Sequence, residues 1–299
     1  MIQEKSTKAF GTYYFENPAL PIAVSEVRAA AEAQHAHDLT AREHSHDFSE
    51  LVLITAGSGP QLIDGTECTV SAGDVFLIQG HTRHCFPDRR RISMLNVQFD
   101  PEHLALPDDF LRQIPGYNVI FQLEPAMRNN RSGENRLRLD REELALAEER
   151  IRRLRAELER REPGYEAAAF AQLLELIVFV SRRCGSSRAP NQAALLRMGE
   201  VISRIERDYA SALTLKRLAA VACTSPNNLL RLFRTATGTT PIEYLLEVRL
   251  RRAAELLRRT GLPVGEVAAR CGFHDSNYFS KRFRALYGVS PRTFRGGLE

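Results

Sequence analysis

The five cysteines of this 299-residue chain, at positions 68, 85, 184, 223 and 271, form no CxxC pair and keep no regular spacing. An odd, scattered set excludes a disulfide framework and fits reduced, structural thiols in a cytoplasmic protein. Long apolar runs are missing too. The longest, Leu173 to Val180, is broken by Glu175 and falls far short of the roughly 20 residues that span a bilayer. No apolar stretch follows the opening Met-Ile-Gln-Glu-Lys, so no signal peptide is expected. A strong overall charge is also absent, the formal net charge being +4. That small total conceals a division. Residues 197–299 hold 18 Lys and Arg against 9 Asp and Glu, while the rest of the chain holds 23 against 28. A basic C-terminal region joined to a mildly acidic remainder fits nucleic-acid binding at one end only. The length allows two domains, each with its own core.

The C-terminal region turns on Gly272-Phe273-His274-Asp275-Ser276-Asn277-Tyr278-Phe279-Ser280-Lys281-Arg282-Phe283-Arg284. Asp275 is a good helix N-cap. Phe279 and Phe283, spaced i, i+4, face a core, whereas Ser276, Ser280 and Arg284 fall on another stripe beside Asn277 and Lys281. Upstream, Val264, Val267, Ala268 and Cys271 mark a short apolar-faced helix ending at Gly272. A helix, a tight turn and a second helix with a polar, basic face read as a helix-turn-helix.

A twin lies upstream. Leu215, Leu218, Ala219 and Ala222 make its first helix; Leu229 and Phe233 are the inward pair of its second, with Asn227, Leu230, Arg231 and Arg234 outside. At a spacing of 50, Arg231 matches Lys281, Phe233 matches Phe283, Arg234 matches Arg284, Gly238 matches Gly288 and Pro241 matches Pro291. The second turn is one residue longer, since Cys223 to Phe233 spans ten positions and Gly272 to Phe283 eleven. Two such units imply two reading heads in successive major grooves, roughly 34 Å apart. Asn227, Leu230 and Arg231, and Ser276, Asn277, Ser280 and Lys281, are placed to reach base edges. Arg234, Arg282 and Arg284 are placed for phosphates.

Residues 195–299 resemble the DNA-binding domain of the AraC/XylS family of bacterial transcription regulators. Tyr278-Phe279-Ser280-Lys281-Arg282-Phe283, Gly288-Val289-Ser290-Pro291 and Phe294-Arg295 carry the likeness, which covers both units and the helix between them. It implies a regulator of transcription acting on a double-stranded DNA operator, and tilts the expectation toward an activator that meets RNA polymerase.

From Leu51 the pattern changes to short strands. Leu51–Ile54, a hairpin over Gln61–Val70, Val75–Ile78 and Ile92–Phe99 alternate with Gly-rich turns, which predicts a β-barrel or jelly roll. His44, His46, Glu50 and His84 accompany it. If one strand carries the first three, shared parity turns them to one face, and three imidazoles with a carboxylate can bind a divalent transition metal. The spacing resembles the two cupin motifs, with departures: Asp38, Gln79 and His81 stand where Gly, Pro and Gly are usual, and Asp88 where Asn is common. The alternative is a vestigial site whose residues line a ligand pocket or bond one another. His46-Asp47-Phe48-Ser49-Glu50-Leu51, Gly57-Ser58-Gly59 and Gly73-Asp74-Val75 resemble the rhamnose-responsive branch of the family, which implies a sugar or other polyol as small-molecule effector. Gln98, Asn96 and Arg83 are further polar candidates.

Asp140 caps a helix through Arg161, where Leu144, Ala147, Ile151, Leu154 and Leu158 form a two-heptad seam; a more apolar helix, Tyr165 to Arg183, follows. The pair either packs on the barrel or makes a homodimer. The expected organisation is α+β with two domains: a cupin-like β-barrel (jelly roll) with an irregular N-terminal arm over 1–139, the helix pair over 140–184, a linker over 185–192, and an all-α DNA-binding domain with two helix-turn-helix units over 193–299. A ligand-responsive regulator, not an enzyme, is the expected function. The alternatives are a cupin metalloenzyme fused to a DNA-binding module, though no general acid or nucleophile is evident, and a regulator whose barrel is a ligand-free scaffold.

Overall fold

A computed structural model describes residues 7–29, 41–127, 136–184 and 190–296. The Asp38 departure, the basic stretch at 128–135 and linker residues 185–189 lie outside them. The chain divides into two compact units, Met1–Gly199 and Glu200–Glu299.

Among the described residues nine strands build the first unit: β1 Thr7–Ala9, β2 Ile22–Val27, β3 His44–His46, β4 Ser49–Ile63, β5 Thr66–Ser71, β6 Asp74–Ile78, β7 His84–Cys85, β8 Ile92–Phe99 and β9 Leu137–Arg138. β4 is the spine. Its first half pairs with β6 and β8, its second half with β5 and β7. A register shift between Ile54 and Ala56 bends it from one half-sheet into the other. Gly57 completes the bend at φ 79°, where an added Cβ would lie 2.0 Å from the Arg91 carbonyl oxygen.

The result is a curled, open sheet and not the closed jelly roll expected. β1, β2, β5 and β9 each have one partner among the described residues, so the strand path has ends. The reason is that one bent strand serves both half-sheets, which curls the sheet without joining its edges. The arm is not irregular either. β1 pairs in parallel with β3, and β2 pairs antiparallel with β8. Between them, Tyr14 and Phe15 pack edge-on against Phe48, at 5.2 and 5.6 Å between ring centroids. Gly11 N–H donates to Asp47 Oδ1 at 2.7 Å.

Strand alternation gives the sheet two buried faces. Glu50, Val52 and Ile54 pair with Gln98, Asn96 and Met94, which pair in turn with Ala23, Ser25 and Val27, so all nine share the concave face. Val27, Val52, Ile54, Phe76, Ile78 and Met94 form its apolar floor. Helices cover the other face. After the short α1 Asp108–Leu111, α2 Pro115–Asn118, a π-helical turn at Val119–Leu123 and α3 Glu124–Met127 come α4 Arg141–Arg160 and α5 Tyr165–Cys184. Asp140 and Glu143 close a capping box on α4, satisfying two backbone donors reciprocally. Its heptad seam faces inward: Ala147, Ile151 and Leu154 are buried, and α4 packs on α5, β2 and β8. These three seam residues pack within the protomer, and Leu144 and Leu158 are half-buried at the ends of the seam.

α6 Pro190–Asp208 is one continuous helix whose residues fall on both sides of the division at 199/200. The second unit continues with α7 Leu215–Val221, α8 Pro226–Thr237, α9 Pro241–Arg259, α10 Val264–Arg270, α11 Ser276–Tyr287 and α12 Pro291–Arg295. Side chains mark the starts: Ser225 accepts from Asn228 N, Asp275 from Asn277 N and Tyr278 N, and Thr240 forms a capping box with Glu243. Phe233, Phe279 and Phe283 have no exposed surface, and burying each contributes about 1.5–3 kcal/mol. Gly272 sits at φ 80°, with room for a Cβ only 2.7 Å from Ala210 O. Among the described residues no helix is long and apolar enough to cross a membrane. The cysteines are all free; Cys85, Cys184 and Cys271 are buried, Cys68 is half-buried, and Cys223 is exposed in the first turn at φ 50°, so it is not a core thiol.

Candidate metal centre and nucleic-acid interface

Two strands, not one, carry the first three polar residues. His44 and His46 lie on β3, Asp47 and Phe48 interrupt, and Glu50 is the second residue of β4; His84 comes from β7, opposite His44. They converge nonetheless. Single ligand atoms of His46, Glu50 and His84 lie within 4.8 Å of one another, and all three residues are buried. Glu50 Oε2 is 3.5 Å from His84 Nε2 and 3.9 Å from His46 Nε2. His44 stands beside this group, its ring centroid 4.2 Å from that of His84.

The backbone sets the imidazole tautomers. His44 Nδ1 faces Arg42 O at 2.8 Å, His46 Nδ1 faces Phe48 O at 2.7 Å and His84 Nδ1 faces Thr82 O at 3.1 Å. A carbonyl only accepts, so each Nδ1 carries a proton and each neutral ring keeps its lone pair on Nε2. Phe48 stacks on His46 at 4.3 Å and fixes the ring plane. Burial pushes the His46 pKa down to about 4 against the attraction of Glu50, so this ring is neutral at pH 7. Burial works to raise the Glu50 pKa, but the His84 hydrogen bond and the surrounding imidazoles outweigh it and hold it at about 2.

The Nε2 atoms of two rings and a carboxylate oxygen thus face one another, and a cation between them satisfies all three at once. His46 Nε2 is buried with no hydrogen-bond partner. Two nitrogen donors, one carboxylate and backbone-oriented rings form a set that fits a divalent transition metal. Gln98 Nε2 donates to Glu50 Oε1 at 3.2 Å and to Ser25 Oγ at 3.0 Å. A carboxylate only accepts, so the amide nitrogen must face it and Gln98 Oε1 points elsewhere; that oxygen and Asn96 Oδ1 are buried without partners. Sequence reading named Gln98 and Asn96 without choosing them. Their β8 register opposite β4 is the signal that selects them, and it is a non-local one. Arg83 instead pairs with Glu43 at 2.6 Å, outside the cluster. At the unusual cupin positions, His81 takes φ 68°, and Gln79 Nε2 donates to Phe121 O at 2.9 Å.

In the second unit α8 and α11 each bury an aromatic pair member and turn polar residues outward. Asn227, Arg231 and Arg234 of α8 are exposed opposite Leu229 and Phe233, with Leu230 half-buried at the flank. Asn277, Lys281 and Arg284 of α11 are exposed opposite Phe279 and Phe283; Ser276 and Arg282 are exposed and Ser280 is half-buried. Both helices therefore present Asn, then a cation four residues on, then Arg three further. Arg231 Nη2 donates to Asn228 Oδ1 at 3.0 Å along its own helix. Tyr278, 49% exposed, joins this outward surface; sequence reading used it only as part of a signature. The loops are four residues long between α7 and α8 and five between α10 and α11, as the spacing predicts.

Two helix-turn-helix units with basic outward helices, on a chain that also holds a curled-sheet unit with a polar interior, define a DNA-binding regulator with a ligand-binding module. Residues 27–177 match the AraC-like ligand binding domain, and residues 218–297 match the Helix-turn-helix domain family. The chain is 31% identical over 261 residues to the HTH-type transcriptional activator RhaS of Enterobacter sp. (strain 638), covering 86% of this chain and 88% of that protein. It is 28% identical over 272 residues to the HTH-type transcriptional activator RhaR of Escherichia coli (strain K12), covering 91% and 93%. It is 29% identical over 254 residues to RhaR of Shigella dysenteriae serotype 1 (strain Sd197), covering 85% and 86%. The protein belongs to the AraC/XylS family of helix-turn-helix transcription regulators with an N-terminal ligand-binding domain. That is a family of regulators and not of enzymes, which sets aside the metalloenzyme alternative.

Proposed function

We propose that the protein is a cytoplasmic transcriptional activator controlled by a sugar or related polyol bound on the concave face of its sensor unit. The observation that carries this reading is the repeated outward triad, Asn227-Arg231-Arg234 and Asn277-Lys281-Arg284, in a chain that also keeps buried, unpartnered polar atoms in its sensor sheet. Asn227, Leu230, Arg231, Ser276, Asn277, Ser280 and Lys281 contact base edges; Arg and Lys suit guanine and Asn suits adenine. Arg234, Arg282 and Arg284 hold phosphates, adding affinity without sequence information. The curled sheet is a cupin-type sensor. A divalent metal on His46, Glu50 and His84, with His44 alongside, would supply open coordination positions for an effector. Effector binding alters how the reading heads are presented, which requires different affinities for two states. Activation involves contact with RNA polymerase. The protein acts as a homodimer through the helix pair; Ala147, Ile151 and Leu154 of the α4 seam are buried within the protomer, which leaves the outward sides of α4 and α5 for the pairing.

Operator selection with the full-length protein, followed by gel shifts on variants, tests the DNA assignment. Lys281→Ala is expected to relax preference at one operator position, and Arg282→Ala to weaken all sequences alike. Uniform weakening by Lys281→Ala removes it from the base-reading set. A thermal-shift screen of sugars and of the polyols and acids related to them tests the sensor assignment, and no response to any of them overturns it.

A further inference from the structure

A cavity lies between β2, the arm residues that precede it and the C-terminal half of α4. Its volume is about 620 Å³, and its wall includes Tyr14, Ala23, Ser25, Arg155 and Tyr165. It adjoins the metal-ligand set along two independent paths. Ser25 Oγ accepts from Gln98 Nε2, which also donates to Glu50. Tyr14 packs on Phe48, and Phe48 stacks on His46. A single side chain separates the cavity wall from a ligand residue on each path.

The unpartnered groups define what would enter. Asn96 Oδ1 and Gln98 Oε1 are both acceptors, on residues 6% and 2% exposed. They require a donor, and hydroxyl groups supply one. Charge narrows the class further. A divalent ion held by one carboxylate and neutral imidazoles leaves a surplus positive charge in a buried site, and burial penalises uncompensated charge. A ligand that brings one negative charge removes the surplus; a neutral sugar does not.

Resting on the sensor reading above, we propose that the effector is a polyhydroxy acid, chelated through its carboxylate and neighbouring hydroxyl by a divalent transition metal on His46, Glu50 and His84. Its further hydroxyls donate to Asn96 Oδ1 and Gln98 Oε1, and its tail lies toward the cavity beside Ser25. Asn96 is then a specificity residue that leaves the metal untouched, whereas Gln98 both orients Glu50 and reads the ligand.

The test uses the full-length chain, stripped with a chelator and reloaded with Zn²⁺, then titrated calorimetrically with a panel of aldonates and their parent aldoses, gluconate and glucose among them. The expected result is about one zinc per chain, lost in His46→Ala. An aldonate binds the zinc-loaded protein and not the stripped protein, with its parent aldose at least roughly tenfold weaker. Asn96→Ala weakens that aldonate by roughly tenfold at unchanged zinc content. Failure to retain zinc overturns the proposal. An aldose that binds stripped and loaded protein equally overturns it while leaving the sugar-sensor reading intact. Zinc retention without a response to any sugar or acid overturns both.

Discussion

Glu50 in the sensor unit and Glu206 in the DNA-binding unit are both buried carboxylates, and their surroundings differ in kind. Glu206 accepts from Tyr244 Oη at 2.8 Å and from Arg251 Nη2 at 2.8 and 3.0 Å, with Arg252 at 3.8 Å. The arginines are donors with no lone pair to offer a metal, and the Tyr244 hydroxyl spends its proton on the carboxylate. The network ties α6 to α9. Glu50 instead faces the Nε2 atoms of two imidazoles whose Nδ1 atoms sit on backbone carbonyls, and His46 Nε2 has no hydrogen-bond partner. Burial alone does not mark a functional acid. What distinguishes the two sites is whether the partners are cationic donors that neutralise the carboxylate or include a nitrogen able to ligate a metal and left without a partner.

This contrast can be broken by mutation. Glu206→Ala removes the buried carboxylate that Tyr244 and Arg251 share and should destabilise the DNA-binding unit by about 3–5 kcal/mol, read from chemical denaturation, with no dependence on added metal. Zn²⁺ at a hundredfold excess over its Kd should stabilise the sensor unit by about 2.7 kcal/mol, seen as an upward shift of one calorimetric transition. Glu50→Gln and His46→Ala should abolish that shift. A shift in Glu50→Gln, or one in the DNA-binding unit, would contradict the division drawn between the two carboxylates.

Smaller effects separate the two reading heads. Arg231→Ala and Lys281→Ala should each cost roughly 1–3 kcal/mol of base discrimination, at operator positions about one helical turn apart. Loss at a shared position would mean that the heads do not read separate grooves. At the level of the turns, Gly272→Ala should destabilise more than Gly288→Ala. Both sit at positive φ, costing roughly 1–2 kcal/mol for a residue with a Cβ, but only Gly272 also meets a backbone carbonyl. Equal losses in thermal denaturation would place the whole penalty in the dihedral angle.

Helices were legible in the sequence where their signals are local. Asp140, Ser225, Thr240 and Asp275 act within three residues of themselves, and the i, i+4 aromatic pair at 279 and 283 needs no distant partner to define a face. Strands were less so. β1 finds its partner 37 residues away, and β2 pairs with β8 more than 65 residues on, so neither stood out in an aromatic, proline-containing arm. Periodicity also left the α4 seam ambiguous, because a stripe of leucines does not say whether its partner lies in the same chain. The histidine cluster was legible as a set, but the parity argument placed it on one strand. Asp47 and Phe48 break that strand, and the break lets Phe48 stack on His46 while its carbonyl fixes the ring.

By itself, the sequence determined the second unit almost entirely: its duplicated helix-turn-helix, its caps, its inward aromatics and the outward cations. All of these depend on residues within one or two helical turns, where covalent geometry fixes the spacing. Only the tertiary structure decided that the sensor sheet stays open, that the α4 seam is used within the protomer, and that Gln98 and Asn96 join His46, Glu50 and His84 on one face. Those outcomes depend on the register between strands far apart in the chain, and register is set by mutual burial across the whole sheet, which no local stretch of sequence contains.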